Sequence, residues 1–469
     1  MVDTRMAKGN RVGKDLTSGS ILPTLLNFAL PIVLTNLIQQ VYSMVDLAVI
    51  GQFVGNEGTV GVSIGGELAD IGTMMATAFG AGGQIYIAQL VGAGDRKTLK
   101  QTIGTLLSWM FLMSICMCTA AIGFHQQLLQ WLNCPEEAYT QARAYLMITA
   151  MGLPFICGYN AICGILRGMG ESKQPMYFIM IAAVVNVVLD ILLVAVFKLE
   201  AAGTAIATVL SQIGAFAASF LFLYRNREYF GFELKLSYFR IRWECLKVIL
   251  KLGIPKLIQT VCIQFTLLWC NSNINSYGIT VSATNGIGNK LQKMVIMFTI
   301  SLETAASSMI GQSLGAGNQE RARKTVWTVM RCALVVAAVG SALALLLPKQ
   351  LFRLFTSEPD VLEYGVIYLR VLVITFFSAA YMTPFASMVT GSGFASMSFA
   401  LGIMDGVVFR VGFSLLFLHV FDLGAVSFFL GNALARVAPG TISMIYFLSG
   451  KWRTRKLLVK AKAPQAKDE

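Results

Sequence analysis

The chain repeats one short motif about half its length apart. Gln89-Leu-Val-Gly92-Ala-Gly94-Asp95 returns as Gln312-Ser-Leu-Gly315-Ala-Gly317-Asn318, from position 89 to position 312, a shift of 223 residues in a chain of 469. Three further pairs recur at nearly the same shift. They are Leu30-Pro31 with Ile254-Pro255, Tyr145-Leu146 with Tyr368-Leu369, and Gly168-Met-Gly170 with Gly391-Ser-Gly393. A period this long indicates a duplicated half-molecule, because the repeats of a solenoid are far shorter.

The composition places both halves in a membrane. Hydrophobic residues make up 56% of the chain and charged residues 13%, whereas a soluble domain carries about 25% charged residues. Apolar runs long enough to cross a bilayer core of about 30 Å lie near 24–50, 60–90, 101–124, 141–166, 175–197, 201–224, 246–275, 281–312, 326–347, 363–390, 395–418 and 423–449. We therefore predict an all-α integral membrane protein. Its twelve transmembrane helices should form two six-helix lobes related by pseudo-two-fold symmetry about the membrane normal.

The predicted lobes define the domains and the orientation. We expect a cytoplasmic N-terminal segment (1–23), an amino-terminal lobe (24–225), a cytoplasmic linker (226–245), a carboxy-terminal lobe (246–449) and a cytoplasmic tail (450–469). Lys and Arg collect in both termini, in the linker and in the loops after the repeated motifs. The opposite side shows only Lys198, Lys349 and Arg353. The positive-inside rule therefore predicts a multi-pass protein of the plasma (inner) membrane with both termini cytoplasmic.

The net charge of +13 follows from this topology. We assign it to contact with anionic lipid headgroups. Binding to nucleic acid would require a polar domain to carry the charge, and the sequence offers none.

Polar residues at bilayer depth are the main candidates for function. A charged side chain there costs about 2.5 to 3.5 kcal/mol on insertion scales, so each one needs a reason. Asp46 lies near the outer end of the first helix, and Asn36, Gln40 and Ser43 precede it at spacings of three or four residues, which form one helical face. Such a stripe must face the bundle or a wet cavity, because lipid cannot satisfy it. The alternative is an aspartate that reaches interfacial water.

The fifth predicted helix carries Asn186 and Asp190, four residues apart and on one face. A carboxylate and an amide oxygen one turn apart suit a small hard cation, which prefers oxygen ligands. An interhelical hydrogen-bonded pair fits the spacing equally well. Thr208 on the next helix adds a hydroxyl that could join them, although small residues with Thr are also common in helix packing.

The second half contributes three ionisable candidates for a substrate cavity. Glu303 lies in the eighth helix, and Asp405 and Arg410 lie in the eleventh. Asp405 and Arg410 are five residues apart, too far round an α-helix to be an obvious pair, so we expect each to find a partner elsewhere. Glu303 could handle substrate or a proton, or it could form a structural hydrogen bond to neighbouring Ser and Thr.

No set of side chains supports an enzyme. The two histidines, His125 and His419, fall in predicted exterior loops, so neither a catalytic triad nor a histidine metal site can form within the bundle. The sequence also has no phosphate-binding Gly-Lys-Ser/Thr motif. We predict a protein that is not an enzyme and that carries no cofactor.

In their order along the chain, these features resemble the multidrug and toxic compound extrusion (MATE) family. The likeness covers essentially the whole length and depends on the order of the motifs in two halves of six helices. The motifs are Leu30-Pro31, Val45-Asp46, Gln89-x-x-Gly92-Ala-Gly94, Leu166-Arg167-Gly168-x-Gly170, Asn186-x-x-x-Asp190, Ala207-Thr208 and Gln312-x-x-Gly315-Ala-Gly317.

The resemblance implies a secondary active efflux transporter. Members of the family export organic cations or related amphiphilic compounds by alternating access, driven by inward flow of Na+ or H+. Carried over by position, Asp46, Asn186, Asp190 and Thr208 resemble the family's amino-lobe cation site, where the coupling ion would be Na+, as a bound metal, or H+. We expect small-molecule amphiphilic or cationic substrates, membrane lipids as neighbours, no nucleic acid partner and a monomer.

One departure from the family shifts the expected coupling to the amino lobe. A branch of the family has an acidic residue in helix seven, whereas the stretch from Pro255 to Gln264 has none.

Two rival functions remain. A lipid-linked sugar flippase of the same broad superfamily would need a strongly basic cavity to hold pyrophosphate, and a membrane-embedded enzyme would need the missing catalytic groups.

The topology can be tested by thiol labelling of intact cells. In a Cys134→Ser background, Lys235→Cys should resist a membrane-impermeant maleimide, because the linker is predicted to be cytoplasmic. Lys198→Cys, on the opposite side, is the matched control and should be labelled. Labelling of residue 235 from outside would contradict the predicted orientation.

Overall fold

The computed structural model describes residues 13–230, 233 and 235–459, apart from the side chains of Leu47, Leu68 and Leu236. Across these residues the chain forms twelve helical segments of membrane-spanning length and no strand. They are α1 Ile21–Phe53, α2 Asn56–Ala93, α3 Arg96–Gly123, α4 Glu136–Gly168, α5 Lys173–Val196, α6 Glu200–Arg225, α7 Trp243–Asn275, α8 Ile279–Gly315, α9 Gln319–Leu346, α10 Pro359–Gly391, α11 Ala395–His419 and α12 Val426–Leu448. Ten are also apolar enough to cross a bilayer by composition, and α2 and α7 are the two more polar ones. The predicted all-α fold class is confirmed.

The repeated Gly-Ala-Gly motif is a tight turn between two helices. Gly94 and Gly317 have φ of 72° and 77°, a left-handed conformation that glycine adopts without strain. The next residue caps the following helix: the side chain of Asp95 accepts from the Thr98 backbone N–H, and Asn318 does the same for Arg321. The motif therefore recurs because each half must end one long helix and start another within three residues.

The fourth helix of each half lies at the centre of its own group of helices. α4 packs against α2, α3 and α6, and α10 packs against α8, α9 and α12. Small residues permit the closest approach. A Cβ added to Gly164 would lie 2.5 Å from the carbonyl oxygen of Gly80, so only glycine fits where α4 meets α2.

Contacts divide the chain into two units that exchange their first helices. Among the described residues, the amino unit comprises those in 13–15 and 34–253, and the carboxy unit comprises those in 16–33 and 254–459. The chain changes unit inside α1, two residues after Pro31, and inside α7, directly before Pro255. The sequence repeat suggests lobes divided at the linker. By contacts, the first part of α1 belongs with the carboxy unit and the first part of α7 with the amino unit.

In the carboxy unit, Arg321 fixes the segment that leads into α1. Its guanidinium donates to the backbone carbonyl oxygens of Leu16 at 3.0 Å, Ser18 at 2.7 Å and Gly19 at 2.7 Å. The side-chain oxygen of Gln312, from the repeated motif, accepts from the Leu16 N–H at 3.1 Å. These carbonyls lie before the first residue of α1 and have no donor within the helix, so Arg321 supplies their partner.

In the amino unit, the segment leading into α7 is held against α3 in a comparable way. The Ser108 hydroxyl donates to the Phe239 carbonyl at 2.6 Å, and the Thr105 hydroxyl accepts from the Arg242 N–H at 3.1 Å. Lys100 reaches Glu233 of the linker at 2.8 Å, and its hydrogen bond and positive charge lower the pKa of that carboxyl group. Both leading segments are thus tied down by side chains of the third helix of a half.

Two helices contain a π-helical turn at comparable places. In α5 it covers Ile191–Val196, directly after Asp190, and in α11 it covers Met404–Val408, which includes Asp405. π-helical turns are rare and concentrate at functional sites. Both lie beside an acidic residue that the sequence marks as a candidate.

The three hydrogen bonds from Arg321 to the segment before α1 should contribute measurably to the stability of the folded protein. Arg321→Leu removes three hydrogen bonds from a charged group to backbone carbonyls, a loss of about 2 kcal/mol or more. Arg323→Leu is the matched control on the same turn, because Arg323 only forms an exposed ion pair with Glu320. Thermal unfolding of the purified proteins should show a clearly lower midpoint for the first variant. Equal midpoints would contradict the role given to Arg321.

Candidate functional site

Two carboxyl groups meet inside the amino unit. Asp46 comes from the C-terminal part of α1 and Asp190 from α5, and the two side chains interact electrostatically. Asp190 is fully buried, whereas Asp46 is half-buried. No described Lys or Arg forms an ion pair with either carboxyl group. Two acids therefore face one another without a compensating cation from the described protein.

Neutral polar atoms surround these acids and are also without hydrogen-bond partners among the described residues. Both side-chain atoms of the Asn186 amide are buried and unpartnered, and so are the hydroxyls of Thr204 and Thr208 on α6. Neither oxygen of Asp190 accepts a hydrogen bond from a described residue. Buried polar groups are rarely left in this state, so such a concentration points to a site that binds something polar. An ion with oxygen ligands matches this set of groups.

Two tyrosines interact with these acids and a glutamine reaches one of the tyrosines, and the sequence analysis names none of the three as a site residue. Tyr42 on α1 and Tyr145 on α4 interact electrostatically with Asp46, and Tyr42 lies within hydrogen-bonding reach of Gln212 on α6. One signal was available for Tyr145, which belongs to the Tyr-Leu pair repeated in the second half. Tyr42 lies four residues before Asp46 on the same helix, so the spacing could have identified it. Gln212 has no such signal, because only the packing of α1 and α6 brings it to Tyr42.

In the carboxy unit, the prediction that Asp405 and Arg410 pair with other residues is wrong. Arg410 Nη2 lies 3.1 Å from Asp405 Oδ1, and both side chains are almost completely buried. Arg410 Nε also donates to the Asp405 backbone carbonyl at 3.3 Å. The reason is the π-helical turn Met404–Val408: it widens the helix so that residues five apart, rather than four, share a face.

The ion pair continues into a network of amides. Arg410 Nη1 donates to Asn432 Oδ1 on α12, and Asn432 Nδ2 donates to Gln292 Oε1 on α8 at 3.4 Å. The Tyr368 hydroxyl on α10 reaches the same Gln292 oxygen at 3.4 Å and Asn289 Oδ1 at 3.3 Å. Tyr368 is the second copy of Tyr145. Each unit therefore has a polar site beside the repeated tyrosine, with acids in the first and an ion pair with amides in the second.

The other sequence candidates lie on α1 and α8. Asn36 is half-buried and Gln40 is exposed, both on α1 within the amino unit. Glu303 is half-buried on α8, where the Ser307 hydroxyl donates to its backbone carbonyl rather than to its carboxylate. The carboxylate of Glu303 forms no ion pair within the described ranges.

Comparison with known sequences adds independent evidence. The MatE family model matches residues 31–192 and again 255–435. The probable multidrug resistance protein YpnP of Bacillus subtilis (strain 168) is 30% identical over 449 residues, which cover 94% of this chain and 98% of that protein. The probable multidrug resistance protein NorM of Thermotoga maritima is 22% identical over 454 residues, 94% of this chain and 95% of that protein.

Solved structures agree on the fold. An outward-facing multidrug resistance MATE family transporter of the MOP superfamily superposes with a TM-score of 0.87 at 21% identity, covering 94% of this chain and 98% of that one. A MOP superfamily transporter from Pyrococcus furiosus superposes with a TM-score of 0.85 at 20% identity and the same coverage. The predicted resemblance is confirmed. With one match of the family model in each half, the chain belongs to the MatE family and is a membrane transporter rather than an enzyme.

Proposed function

We propose that this transporter exports amphiphilic or cationic compounds in exchange for a cation that enters at the amino-unit site. Relatives named as multidrug resistance proteins support the export of several compounds. The observation that carries the coupling is the pair Asp46 and Asp190, which meet at bilayer depth beside the unpartnered oxygens of Asn186, Thr204 and Thr208.

The electrostatic argument concerns the charge on the pair. Two carboxylates close together in a low-dielectric environment cannot both stay ionised without a counter-charge. A bound metal ion or a proton supplies that charge. Either one neutralises the site, so arrival and departure of the cation change the charge buried in the amino unit, and this change can be linked to transport.

The chemistry of the site favours Na+ and leaves H+ as the alternative. A metal ion needs several oxygen ligands, and Asn186, Thr204 and Thr208 offer neutral ones around the two carboxylates. A proton needs none of them. No group of three or more His, Cys, Asp or Glu occurs in the described chain, so a divalent ion, which needs more charge, is disfavoured.

The remaining features of the proposal come from the sequence. The protein would be a monomer of the plasma membrane with both termini cytoplasmic, and basic loops would contact lipid headgroups. Asn36, Gln40 and Glu303 are proposed to contact substrate, because they place polar groups on long apolar helices. A lipid-linked sugar flippase is the second candidate, but the paired carboxylates of the amino unit would repel a pyrophosphate.

Removing one carboxylate tests the coupling site. Asp46→Asn keeps the size of the side chain and removes its charge, so ethidium efflux driven by an ion gradient should be lost while the protein still folds and inserts. Glu57→Gln, an exposed acid in the first turn of α2, is the matched control and should leave efflux unchanged. Normal efflux by Asp46→Asn at equal expression would remove this site from the mechanism.

The identity of the coupling ion follows from replacing Na+ with choline at fixed pH. If the neutral oxygens of Asn186 and Thr208 serve as metal ligands, ethidium efflux should fall when Na+ is absent and recover when it is restored. A pH step without Na+ provides the comparison. Efflux that persists in choline and follows the pH gradient would assign the site to protons.

A further inference from the structure

A basic cavity lies at one end of the carboxy unit, beyond the ends of three membrane-spanning helices. It has a volume of about 390 Å3, which falls within the range of roughly 300 to 1,000 Å3 typical of sites for small molecules. Its wall is formed by the turn between α8 and α9 and by the chain that follows α12. The lining residues used below are Gln319, Arg453, Arg455, Lys456, Leu457 and Val459. None of them belongs to the coupling site proposed above.

The chain after α12 is held in place by specific contacts. Gly450 turns the chain with a φ of 70°, and Trp452, in the short helix that follows, is almost completely buried. The Trp452 Nε1–H donates to the Phe447 carbonyl oxygen at 2.9 Å. The Gln319 side-chain amide donates to the Arg453 carbonyl oxygen at 3.1 Å, which joins this chain to the start of α9. The wall of the cavity is therefore a packed part of the carboxy unit.

Three basic side chains line the cavity, and none of them forms an ion pair with an acid in the described part of the chain. They are Arg453, Arg455 and Lys456. The Arg455 guanidinium carbon lies 3.6 Å from the centre of the Phe394 ring, a cation–π contact that fixes the group without neutralising it. Glu320 interacts electrostatically with Arg453, but this carboxylate already pairs with Arg323 at 3.0 Å. The cavity therefore has uncompensated positive charge.

The corresponding segment of the amino half contains an acid. α6 ends at Arg225 and α12 ends at Leu448, so the shift of 223 residues still relates the two halves at these ends. At the same shift, Glu233 corresponds to Lys456. Glu233 pairs with Lys100 at 2.8 Å. The amino half thus supplies an anion for its own basic residues, whereas the carboxy half has a third cation at that position.

The level of the cavity and its aliphatic side chains indicate which kind of anion fits. The cavity adjoins the residues where α8 and α12 end and α9 begins, which is the level of the lipid headgroups. Leu457 and Val459 are half-buried and line it beside the basic groups. A small soluble anion makes no use of aliphatic side chains. A phospholipid combines a phosphate with an apolar part, and basic pockets at the ends of membrane helices are suited to such headgroups.

We propose that this cavity binds the headgroup of one anionic phospholipid. Arg453 and Lys456 would hold the phosphate oxygens through charge-assisted hydrogen bonds, and Leu457 would contact the glycerol and the first methylene groups. Phosphatidylcholine carries the same phosphate, but the three cations would repel its positive choline group. The site therefore selects lipids by net charge. Its binding does not depend on the proposed export function.

Native mass spectrometry of the purified full-length protein tests the site with two lipids that differ only in the headgroup. Dioleoyl phosphatidylglycerol should bind more tightly than dioleoyl phosphatidylcholine. Lys456→Glu introduces the acid that the amino half has at this position, so it should weaken phosphatidylglycerol by about tenfold or more. Lys451→Glu is the matched control, because Lys451 is exposed and does not line the cavity. The control makes the same change in net charge and should leave the affinity nearly unchanged.

A second variant keeps the test independent of folding. Arg453→Gln removes one exposed cation and leaves the backbone carbonyl that Gln319 binds. It should weaken phosphatidylglycerol by about fivefold, the effect of one basic residue near a membrane surface. Phosphatidylcholine should bind this variant at least as well as it binds the wild type. The thermal unfolding midpoint of each variant is measured first, and unchanged midpoints are expected because the substituted side chains are exposed.

Equal affinity of the wild-type protein for the two lipids would overturn the proposal. Equal losses in Lys451→Glu and Lys456→Glu would also overturn it, because surface charge in general, rather than this cavity, would then attract the lipid. Glycerol 3-phosphate at the same concentration should not displace phosphatidylglycerol. If it does, the site binds a soluble phosphate and the assignment to a lipid is wrong. Asp46→Asn should bind phosphatidylglycerol like the wild type, so the result is separable from efflux.

Discussion

A bilayer offers no hydrogen bonds, and every polar group of this chain at membrane depth has to be satisfied by protein, by water in a cavity or by a bound ligand. Long helices meet this requirement for the backbone. Side chains meet it through partners on their own helix or through partners on other helices. The two units differ in this respect: no described basic residue pairs with the acids of the amino unit, whereas Asp405 in the carboxy unit is paired with Arg410.

In the amino unit, the described residues do not supply hydrogen-bond or ion-pair partners for all of the buried polar groups. Asp46 and Asp190 face one another with no described basic partner, and Asn186, Thr204 and Thr208 have buried atoms without hydrogen bonds. In the carboxy unit the requirement is met within one helix, since a π-helical turn brings Arg410 onto Asp405. Gene duplication supplied the same scaffold twice, including the tyrosines Tyr145 and Tyr368. The polar groups beside each tyrosine differ between the two units.

Pro31 and Pro255 lie next to the positions where α1 and α7 change from one unit to the other. α1 and α7 change from one unit to the other next to Pro31 and Pro255, where a helix lacks one backbone hydrogen bond and can bend. The segments before them are held by Arg321 in the carboxy unit and by Ser108 and Thr105 in the amino unit. Helices α1 and α7 are therefore each held by side chains at the segment before their start, and each contains a proline next to the position where it changes unit.

The sequence alone determined the fold class, the duplication and the acids of the amino unit. Hydropathy identifies membrane helices because side chains that face lipid must be apolar. Spacing places Asn186 and Asp190 on one face because α5 is a regular helix up to Asp190. The meeting of Asp46 with Asp190, and the presence of Gln212 beside Tyr42, required the packing of helices far apart in the chain.

The pairing of Asp405 with Arg410 was decided by the tertiary structure against the sequence rule. The rule assumes the period of an α-helix, and nothing in the sequence marks where the period changes. The exchange of α1 and α7 between the units was equally beyond reach, because a repeat shows which segments are related but not which neighbours they pack against. Sequence patterns show which segments are apolar enough to be membrane helices, because that property belongs to each helix alone. They do not show which helices are in contact, because contacts depend on three-dimensional packing.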